Sequence, residues 1–167
     1  MAWAVGNPAP DPLYVGLMSG TSLDAIDGAL IRWSASGPAT LAFESLPFDP
    51  DLRAELLALQ QPAPDELHRA SMAATALSRA YADVCARLAP HIPQNTVVAA
   101  IGAHGQTIRH RPESGYTRQL LDGALLAELT RLPVVCDFRS ADVAAGGQGA
   151  PLVPAFHARV FSSPHQR

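Results

Sequence analysis

Hydroxyl groups, carboxylates and a glycine are concentrated in one short segment near the start of the chain. The segment is Ser-Gly-Thr-Ser-Leu-Asp-Ala-Ile-Asp, residues 19–27, and apolar runs flank it at residues 13–18 and 26–33. Apolar runs joined by a glycine and serine turn predict a β-hairpin. Successive backbone N–H groups at the tip of such a turn form a concavity that binds anions, and glycine lets a phosphate approach closely. An ordinary glycine and serine turn explains the same residues.

The candidate phosphate-binding residues are those of the turn and its two edges, namely Ser19, Gly20, Thr21, Ser22, Leu23, Asp24, Ala25, Ile26 and Asp27. The hydroxyls of Thr21 and Ser22 also suit the water shell of a Mg²⁺ ion. Asp24 and Asp27 either act through metal-bound water or cap and orient the turn. We favour Asp24 as the functional carboxylate of the two, and we assign no residue as a metal ligand.

A second group of polar residues follows the apolar run of residues 96–103, which predicts a strand covered on both faces. In open α/β sheets, ligands gather at the carboxyl ends of the strands. His104, Gln106 and Thr107 stand at that end, and the amide and hydroxyl groups suit the polar atoms of a ligand. His104 has a simpler alternative role, in which it packs under the sheet and bonds to the backbone.

A third group surrounds a run of glycines. Residues 139–154 contain three glycines among four residues at positions 146–149, which predicts a loop followed by a helix that begins near Pro154. The guanidinium fork of Arg139 matches a carboxylate, and Gly147 and Gln148 could bring backbone against the same ligand. An equally good interpretation is a salt bridge between Arg139 and Asp142 that holds the loop.

A metal site built from His104, His110 and Asp137 is a further possibility. The sequence offers no tight spacing among these residues of the kind that metal ligands usually show. Loose pairs of histidines also occur often by chance. We therefore do not favour a metal site here.

Three blocks, taken together and in this order, carry a family resemblance. They are Gly-Leu-Met-Ser-Gly-Thr-Ser-Leu-Asp-Ala-Ile-Asp at residues 16–27, His-Gly-Gln-Thr at residues 104–107, and Phe-Arg-Ser-Ala-Asp-Val-Ala-Ala-Gly-Gly-Gln-Gly-Ala-Pro-Leu-Val-Pro at residues 138–154. The chain resembles the anhydro-N-acetylmuramic acid kinases of the actin/Hsp70/sugar-kinase superfamily from about residue 13 onward. The last block is long and unusual, which makes the resemblance specific.

The resemblance implies an ATP-dependent, Mg²⁺-assisted kinase of the cytoplasm. Its family transfers the γ-phosphate of ATP to the 6-hydroxyl of 1,6-anhydro-N-acetylmuramic acid while water opens the anhydro ring, a step of cell-wall recycling. The turn would bind the ATP phosphates. The implied sugar-binding residues are His104, Gln106, Thr107, Arg139, Asp142, Gly147 and Gln148.

The catalytic residue of the family lies outside this sequence. The resemblance implies a general base, an aspartate, in a segment downstream of residue 167, together with an adenosine-binding motif and a second lobe. We therefore expect no catalytic residue in this chain and weak or no turnover from it alone. Family members are often dimers, so a homodimer of the full-length form is also expected.

The sequence departs from the family pattern at two positions. Ala25 stands where the family usually has glycine, which could stiffen the turn and disfavour a positive φ. Leu121 precedes Asp122 where a Gly-Asp pair is usual, which puts a ligand role of that turn in doubt. Met18 is not such a departure: as in the kinases that the chain resembles, it occupies a place where many other superfamily members carry an acidic residue.

The remaining pattern predicts an α/β fold. Strands at residues 13–18, 26–33 and 39–46 form a meander, and further strands are expected at residues 96–103, 117–121 and 133–137, the last of them buried on both faces. Helices are expected at residues 51–60, with Asp49 or Asp51 as the N-cap, at residues 65–88, with an apolar stripe that includes Leu67, and at residues 122–131, with Asp122 as the N-cap. The predicted architecture is an actin-like ATPase (ribonuclease H-like) lobe, with a mixed sheet, an N-terminal β-meander and helices on both faces. Residues 1–12 are expected to be a flexible leader, and residues 13–167 the N-terminal lobe.

The composition excludes some partners. Hydrophobic residues make up 48% of the 167 residues, charged residues 16%, and the net charge is −3, so nothing indicates nucleic-acid binding. The apolar runs are too short for a membrane span. Cys85 and Cys136 are expected to be free, buried thiols in a reducing cytoplasm. The expected partners are ATP and a small amino sugar, without nucleic acid or membrane.

Other functions stay open at this point. A non-catalytic module that binds nucleotide or muropeptide would fit the missing base. A different sugar or acyl kinase would share the hairpin but not the glycine block. A purely structural fragment would bind neither ligand.

Overall fold

The computed structural model describes residues 11–161 of the chain. The strands are β1 (Leu13–Ser19), β2 (Ala25–Ser34), β3 (Gly37–Pro47), β4 (Val98–Ala103), β5 (Gln106–Arg111), β6 (Tyr116–Leu120) and β7 (Val134–Val135). Five of them form a mixed sheet with the order β3-β2-β1-β4-β7, and β5 and β6 form a separate antiparallel ribbon. The predicted mixed sheet with an N-terminal meander is confirmed.

The described residues also form five α-helices, three of them between strands and two after β7. They are α1 (Pro50–Ala58), α2 (Glu66–Leu88), α3 (Gly123–Thr130), α4 (Phe138–Ala144) and α5 (Pro154–Phe161). Two starts follow from local capping chemistry. Asp49 accepts hydrogen bonds from the backbone N–H groups of Asp51 and Leu52, and Asp122 accepts one from Leu125. The sequence pointed to Asp49 or Asp51 at the first start and to Asp122 at the second.

Helix α2 covers one face of the sheet and forms the core with it. The contact with β2 is close, since a Cβ added to Gly28 would collide with the Val84 side chain and lie 3.2 Å from Leu88. The buried stripe of α2 contains Ala73, Leu77, Ser78, Tyr81, Val84 and Leu88. One predicted member of that stripe is wrong, because Leu67 in the first turn of α2 is 84% exposed.

The opposite face of the sheet is covered more sparsely within the described residues. The ring of Phe138, from α4, lies 3.8 Å from the position of a Cβ on Gly102. The ring centroid of Phe156, from α5, lies 6.5 Å from that of Trp33. This face carries exposed apolar side chains such as Trp33 and Val135.

The structure corrects three predicted elements. The segment from residue 139 is not a loop at its start, because α4 runs to Ala144 before the glycines. The polar residues after β4 form a strand of their own, β5, which pairs with β6. The strand expected at residues 133–137 is only Val134–Val135, and it is not buried on both faces because Val135 is 53% exposed.

Most of the predicted leader, residues 1–10, lies outside the described residues. Pro12, the last residue of the predicted leader, is attached to the sheet, since its carbonyl accepts a hydrogen bond of 2.9 Å from the N–H of Trp33. Both cysteines are free thiols, but neither is fully buried as expected: Cys85 is half-buried and Cys136 is exposed. Among residues 11–161, no helix is long and apolar enough to cross a membrane.

Candidate functional site

Three parallel strands bring separate parts of the sequence to one edge of the sheet. Strand β1 is parallel to β4, and β4 is parallel to β7, so their carboxyl ends lie side by side. The turn of residues 20–24 follows β1, His104 follows β4, and α4 follows β7. The N–H of His104 donates to the carbonyl of Leu17 at 3.0 Å, which ties the first two segments together. This edge is where ligands bind in sheets of this type.

The β1–β2 turn, residues 20–24, is attached to the protein by a buried leucine and an arginine of α1, and its polar side chains are exposed. Leu23 is fully buried, has a φ of +56°, and donates its N–H to the carbonyl of Gly20 at 3.1 Å. Arg53 of α1 donates to the carbonyl of Leu23 at 3.0 Å. Thr21, Ser22 and Asp24 are exposed. The buried leucine therefore anchors a turn whose polar side chains face solvent.

The edges of this turn have structural partners. The Ser19 side chain is buried, so the hydroxyl of this predicted phosphate-binding residue does not lie at the open tip. Ile26 is fully buried in β2, and the exposed Asp27 accepts a hydrogen bond of 2.8 Å from the Ser45 hydroxyl. Ala25 begins β2 and is not among the residues with positive φ, so the substitution of glycine by alanine there causes no strain.

His104 and Arg139 contact each other directly. The Nε of Arg139 donates to Nε2 of His104 at 2.7 Å, and Nδ1 of His104 lies 2.7 Å from the carbonyl oxygen of Gly105. Burial lowers the pKa of His104 from its ordinary value of 6.5, and the charge of Arg139 lowers it further. Both of the roles considered for His104 are therefore compatible with its position, since it bonds to the backbone and also borders the guanidinium.

Arg139 and Asp142 do not form the salt bridge that the sequence suggested. Both instead bind the backbone of Gly149: Nη1 of Arg139 donates to its carbonyl oxygen at 2.7 Å, and Asp142 accepts from its N–H at 2.7 Å. Gly149 has a φ of +72° and is buried. Gly147 lies so close to the Asp142 carboxylate that a Cβ there would collide with it. These contacts hold the segment between α4 and α5, residues 145–153 and here called the glycine loop, against α4.

The other predicted sugar-binding residues differ in exposure. Gln106 is fully buried, and neither atom of its amide has a hydrogen-bond partner among the described residues. Thr107 is half-buried and accepts a hydrogen bond of 3.2 Å from Gln119. Gln148 is exposed on the glycine loop. Thr107 and Gln148 are therefore the two of these side chains that a ligand can reach directly.

Sequence reasoning missed Tyr81, which lies beneath this edge of the sheet. Its hydroxyl is 3.0 Å from the Ser19 hydroxyl, and the Ser19 hydroxyl donates to the carbonyl of Gly105 at 3.3 Å. Burial raises the pKa of Tyr81 to about 12. A signal was available, because a tyrosine in the apolar stripe of a helix needs a partner for its hydroxyl. The identity of that partner depends on tertiary structure.

No metal centre is formed by protein side chains alone in the part of the chain that the structure describes. No group of three or more His, Cys, Asp or Glu side chains there is arranged to hold a metal ion. His110 lies with Nδ1 3.0 Å from the hydroxyl of Thr117, and Asp137 is exposed at the start of α4.

Comparisons with known proteins identify the family. The family model for anhydro-N-acetylmuramic acid kinase matches residues 12–167. The protein named anhydro-N-acetylmuramic acid kinase from Bordetella petrii is 61% identical over 160 residues, which are 95% of this chain and 42% of that protein. The protein of the same name from Burkholderia mallei is 56% identical over 165 residues, 96% of this chain and 42% of that protein.

A solved structure of an exopolyphosphatase-like protein aligns with a TM-score of 0.39 and 13% identity, covering 80% of this chain and 35% of that one. The chain spans about 42% of the length of the curated relatives it matches. The matched family has an actin-like ATPase fold. By the family model and by these relatives, the chain belongs to the anhydro-N-acetylmuramic acid kinase family.

Proposed function

We propose that this chain is the N-terminal lobe of a cytoplasmic kinase that phosphorylates 1,6-anhydro-N-acetylmuramic acid at its 6-hydroxyl. Water opens the anhydro ring in the same cycle, and the product is N-acetylmuramic acid 6-phosphate. The reaction serves cell-wall recycling. One observation carries the proposal. In a chain of this family, the open β1–β2 turn lies at the same edge of the sheet as a hydrogen-bonded group made of His104, Arg139, Asp142 and Gly149, here called the Arg139 cluster.

The β1–β2 turn is the proposed site for the ATP phosphates. A Cβ on Gly20 would meet only the Ser22 hydroxyl, at 3.5 Å, so the backbone there is open to a ligand. Thr21, Ser22 and Asp24 expose oxygen atoms at this turn. Such a set suits a Mg²⁺ ion that keeps most of its water and binds through one carboxylate and the phosphates. ATP supplies the transferred phosphate, and Mg²⁺ neutralises its charge. The N–H of Leu23 is already used within the turn, so the other backbone N–H groups would bind the phosphates.

The sugar is proposed to bind beside the Arg139 cluster. Among the described residues, Arg139 uses Nε and one N–H of Nη1 in hydrogen bonds, which leaves Nη2 for the lactyl carboxylate of the sugar. A guanidinium binds a carboxylate strongly and with a defined orientation. Asp142 holds the glycine loop, so that the backbone at Gly147 and the exposed Gln148 can contact the sugar. Thr107 would add a hydroxyl, whereas contact with the buried Gln106 would require the site to open.

The general base that activates water is proposed to lie outside this sequence. None of Asp24, Asp27, Asp137 and Asp142 is assigned that role. Asp27 and Asp142 already accept hydrogen bonds from Ser45 and Gly149. We also propose that the full-length form is a homodimer.

Phosphoryl transfer from ATP to 1,6-anhydro-N-acetylmuramic acid tests the proposal. The assay compares this chain with a version extended to the length of its relatives. We expect transfer by the longer protein only. Transfer by both would show that one of the four aspartates is the base, and transfer by neither would contradict the proposed reaction. Binding of both ligands without transfer by the longer protein would indicate a non-catalytic nucleotide- or muropeptide-binding module.

A further inference from the structure

We propose that Tyr81 and Ser19 are positioning residues that act through the Gly105 carbonyl and His104 to orient the guanidinium of Arg139. The inference deepens the proposed function and rests on the proposed role of Arg139 as the carboxylate-binding residue. It adds two residues that touch neither ligand. It also assigns His104 one tautomer, neutral with its proton on Nδ1.

The direction of each hydrogen bond follows from the chemistry of the groups. Arg139 Nε is always a donor, so Nε2 of His104, at 2.7 Å, must accept and carries no proton. The carbonyl of Gly105 can only accept, so Nδ1 of His104, at 2.7 Å, carries the proton. A protonated His104 would place a second donor against Arg139 Nε. The geometry is therefore satisfied by one tautomer alone.

The Gly105 carbonyl is a fixed point in this arrangement. Gly105 is buried with a φ of +73°, and a Cβ there would lie 2.6 Å from the carbonyl oxygen of Leu120. The carbonyl accepts from His104 on one side and from the Ser19 hydroxyl, at 3.3 Å, on the other. Since Ser19 donates to Gly105, the Tyr81 hydroxyl donates to Ser19. The chain of donors thus runs from α2 to the carbonyl that orients His104.

The consequence for Arg139 is a guanidinium held at two of its nitrogens. His104 accepts from Nε, and Gly149 accepts from Nη1. The side chain is therefore set in place before a ligand arrives, which lowers the entropy cost of binding a carboxylate. Ser19 also directly precedes Gly20, so the same buried hydroxyl pair supports the start of the proposed phosphate turn.

Nitrogen-15 NMR of the 167-residue chain at neutral pH, without ligand, tests the inference. We expect His104 to be neutral with its proton on Nδ1, and the Nε–H of Arg139 to exchange slowly with water. In Tyr81→Phe, that exchange should accelerate about fivefold. Tyr116→Phe is the matched control, because Tyr116 is 39% exposed, and it should leave the exchange unchanged. A proton on Nε2, or unchanged exchange in Tyr81→Phe, would overturn the inference.

A second pair of variants keeps the test decisive if Tyr81→Phe fails to fold. The amide of His104→Gln reaches the position of Nε2 and can still accept from Arg139, whereas that of His104→Asn reaches only the position of Nδ1. We expect Arg139 Nε–H exchange in His104→Gln to be faster than in the wild type, because the Nδ1–H bond to the Gly105 carbonyl is lost, and slower than in His104→Asn, which also loses the acceptor for Arg139. Equal exchange in the two variants would overturn the inference.

The same samples separate this inference from the proposed function. Titration with 1,6-anhydro-N-acetylmuramic acid should shift the Arg139 side-chain signals. If the His104 tautomer and the variant effects are as expected but the sugar causes no shift, the sugar site is wrong and the positioning of Arg139 stands.

Discussion

The β1–β2 turn and the Arg139 cluster lie at one edge of the sheet but are built differently. The turn keeps its hydroxyls and Asp24 in solvent and is held by buried Leu23 and by Arg53 beneath it. The side chains of His104, Arg139 and Asp142 are instead hydrogen-bonded to one another or to the glycine loop. Variants of the exposed side chains of the turn should therefore lose ligand affinity without losing stability, whereas variants of the cluster should lose both.

The largest effect on the clustered side is expected from Gly105→Ala. The new Cβ would lie 2.6 Å from the Leu120 carbonyl oxygen, in a backbone conformation with φ of +73°. We expect the free energy of unfolding to fall by about 3 kcal/mol, because a steric clash adds to the cost of the left-handed conformation. Urea denaturation measures the loss.

Gly115→Ala is the matched control for this variant. Gly115 has a φ of +76°, but nothing lies within 4 Å of the new Cβ, so only the conformational cost of about 1 kcal/mol remains. Equal losses in the two variants would show that the contact with Leu120 is unimportant.

Asp142→Ala should have the next largest effect on stability. It removes the carboxylate that accepts the Gly149 N–H and leaves that group without its partner. We expect a loss of about 2 kcal/mol, as for other hydrogen bonds to charged groups. Asp142→Asn keeps an oxygen acceptor and should lose less. A thermal or urea denaturation series in which Asn and Ala are equally destabilising would contradict this reasoning.

Tyr81→Phe should lower the free energy of unfolding less than Gly105→Ala or Asp142→Ala. Only the hydroxyl is removed, the ring remains packed in α2, and Ser19 keeps its bond to Gly105. We expect about 1 kcal/mol, the net contribution of one neutral hydrogen bond. Urea denaturation of Tyr81→Phe and of Tyr116→Phe, a change at an exposed residue, provides the comparison. No difference between the two phenylalanine variants would contradict the predicted contribution.

Acid should weaken the clustered side further. Burial and the nearby Arg139 lower the pKa of His104 in the folded chain below its ordinary value of 6.5. The unfolded chain therefore takes up a proton first as the pH falls, so the stability present above pH 6.5 declines below it until folded His104 is also protonated. Unfolding free energies of the wild type and His104→Gln across this range measure the effect. A wild-type profile parallel to that of His104→Gln would contradict it.

On the turn side, Thr21→Ala and Ser22→Ala should change stability least. Both side chains are exposed, so we expect changes within about 0.5 kcal/mol in urea denaturation. Their affinity for Mg²⁺-ATP, measured by NMR titration, should nevertheless fall about fivefold with each lost hydrogen bond to a phosphate. Loss of stability without loss of affinity would reverse the comparison between the two regions.

Local chemistry and periodicity explain which parts of the fold could be predicted. The meander, the long helix α2 and the capping roles of Asp49 and Asp122 depend on patterns within a few residues. Strand β5 was missed because Ile108 is its only large apolar residue, and its pairing with β6 across the turn at Gly115 defines it. Helix α4 was missed because its seven residues are too few to show a helical period and three glycines follow it closely.

The site was predictable in part for a related reason. The sequence placed His104 at the end of a buried strand and singled out Arg139 and Asp142, but it paired the last two with each other. Their shared partner, Gly149, is a backbone group that no side-chain pattern reveals. The bond between Ser19 and Tyr81 joins residues 62 positions apart in the chain, so it too depends on the packing of α2 against the sheet.

The most direct test of the central claim is to map the two ligands on the nitrogen-15-labelled chain by NMR. Mg²⁺-ATP should shift the backbone signals of residues 20–24, and 1,6-anhydro-N-acetylmuramic acid should shift those of His104, Arg139 and the glycine loop. Shifts confined to these two neighbouring regions are the predicted result. An unchanged turn with Mg²⁺-ATP, or sugar-induced shifts elsewhere, would contradict the assignment of one sheet edge to both ligands.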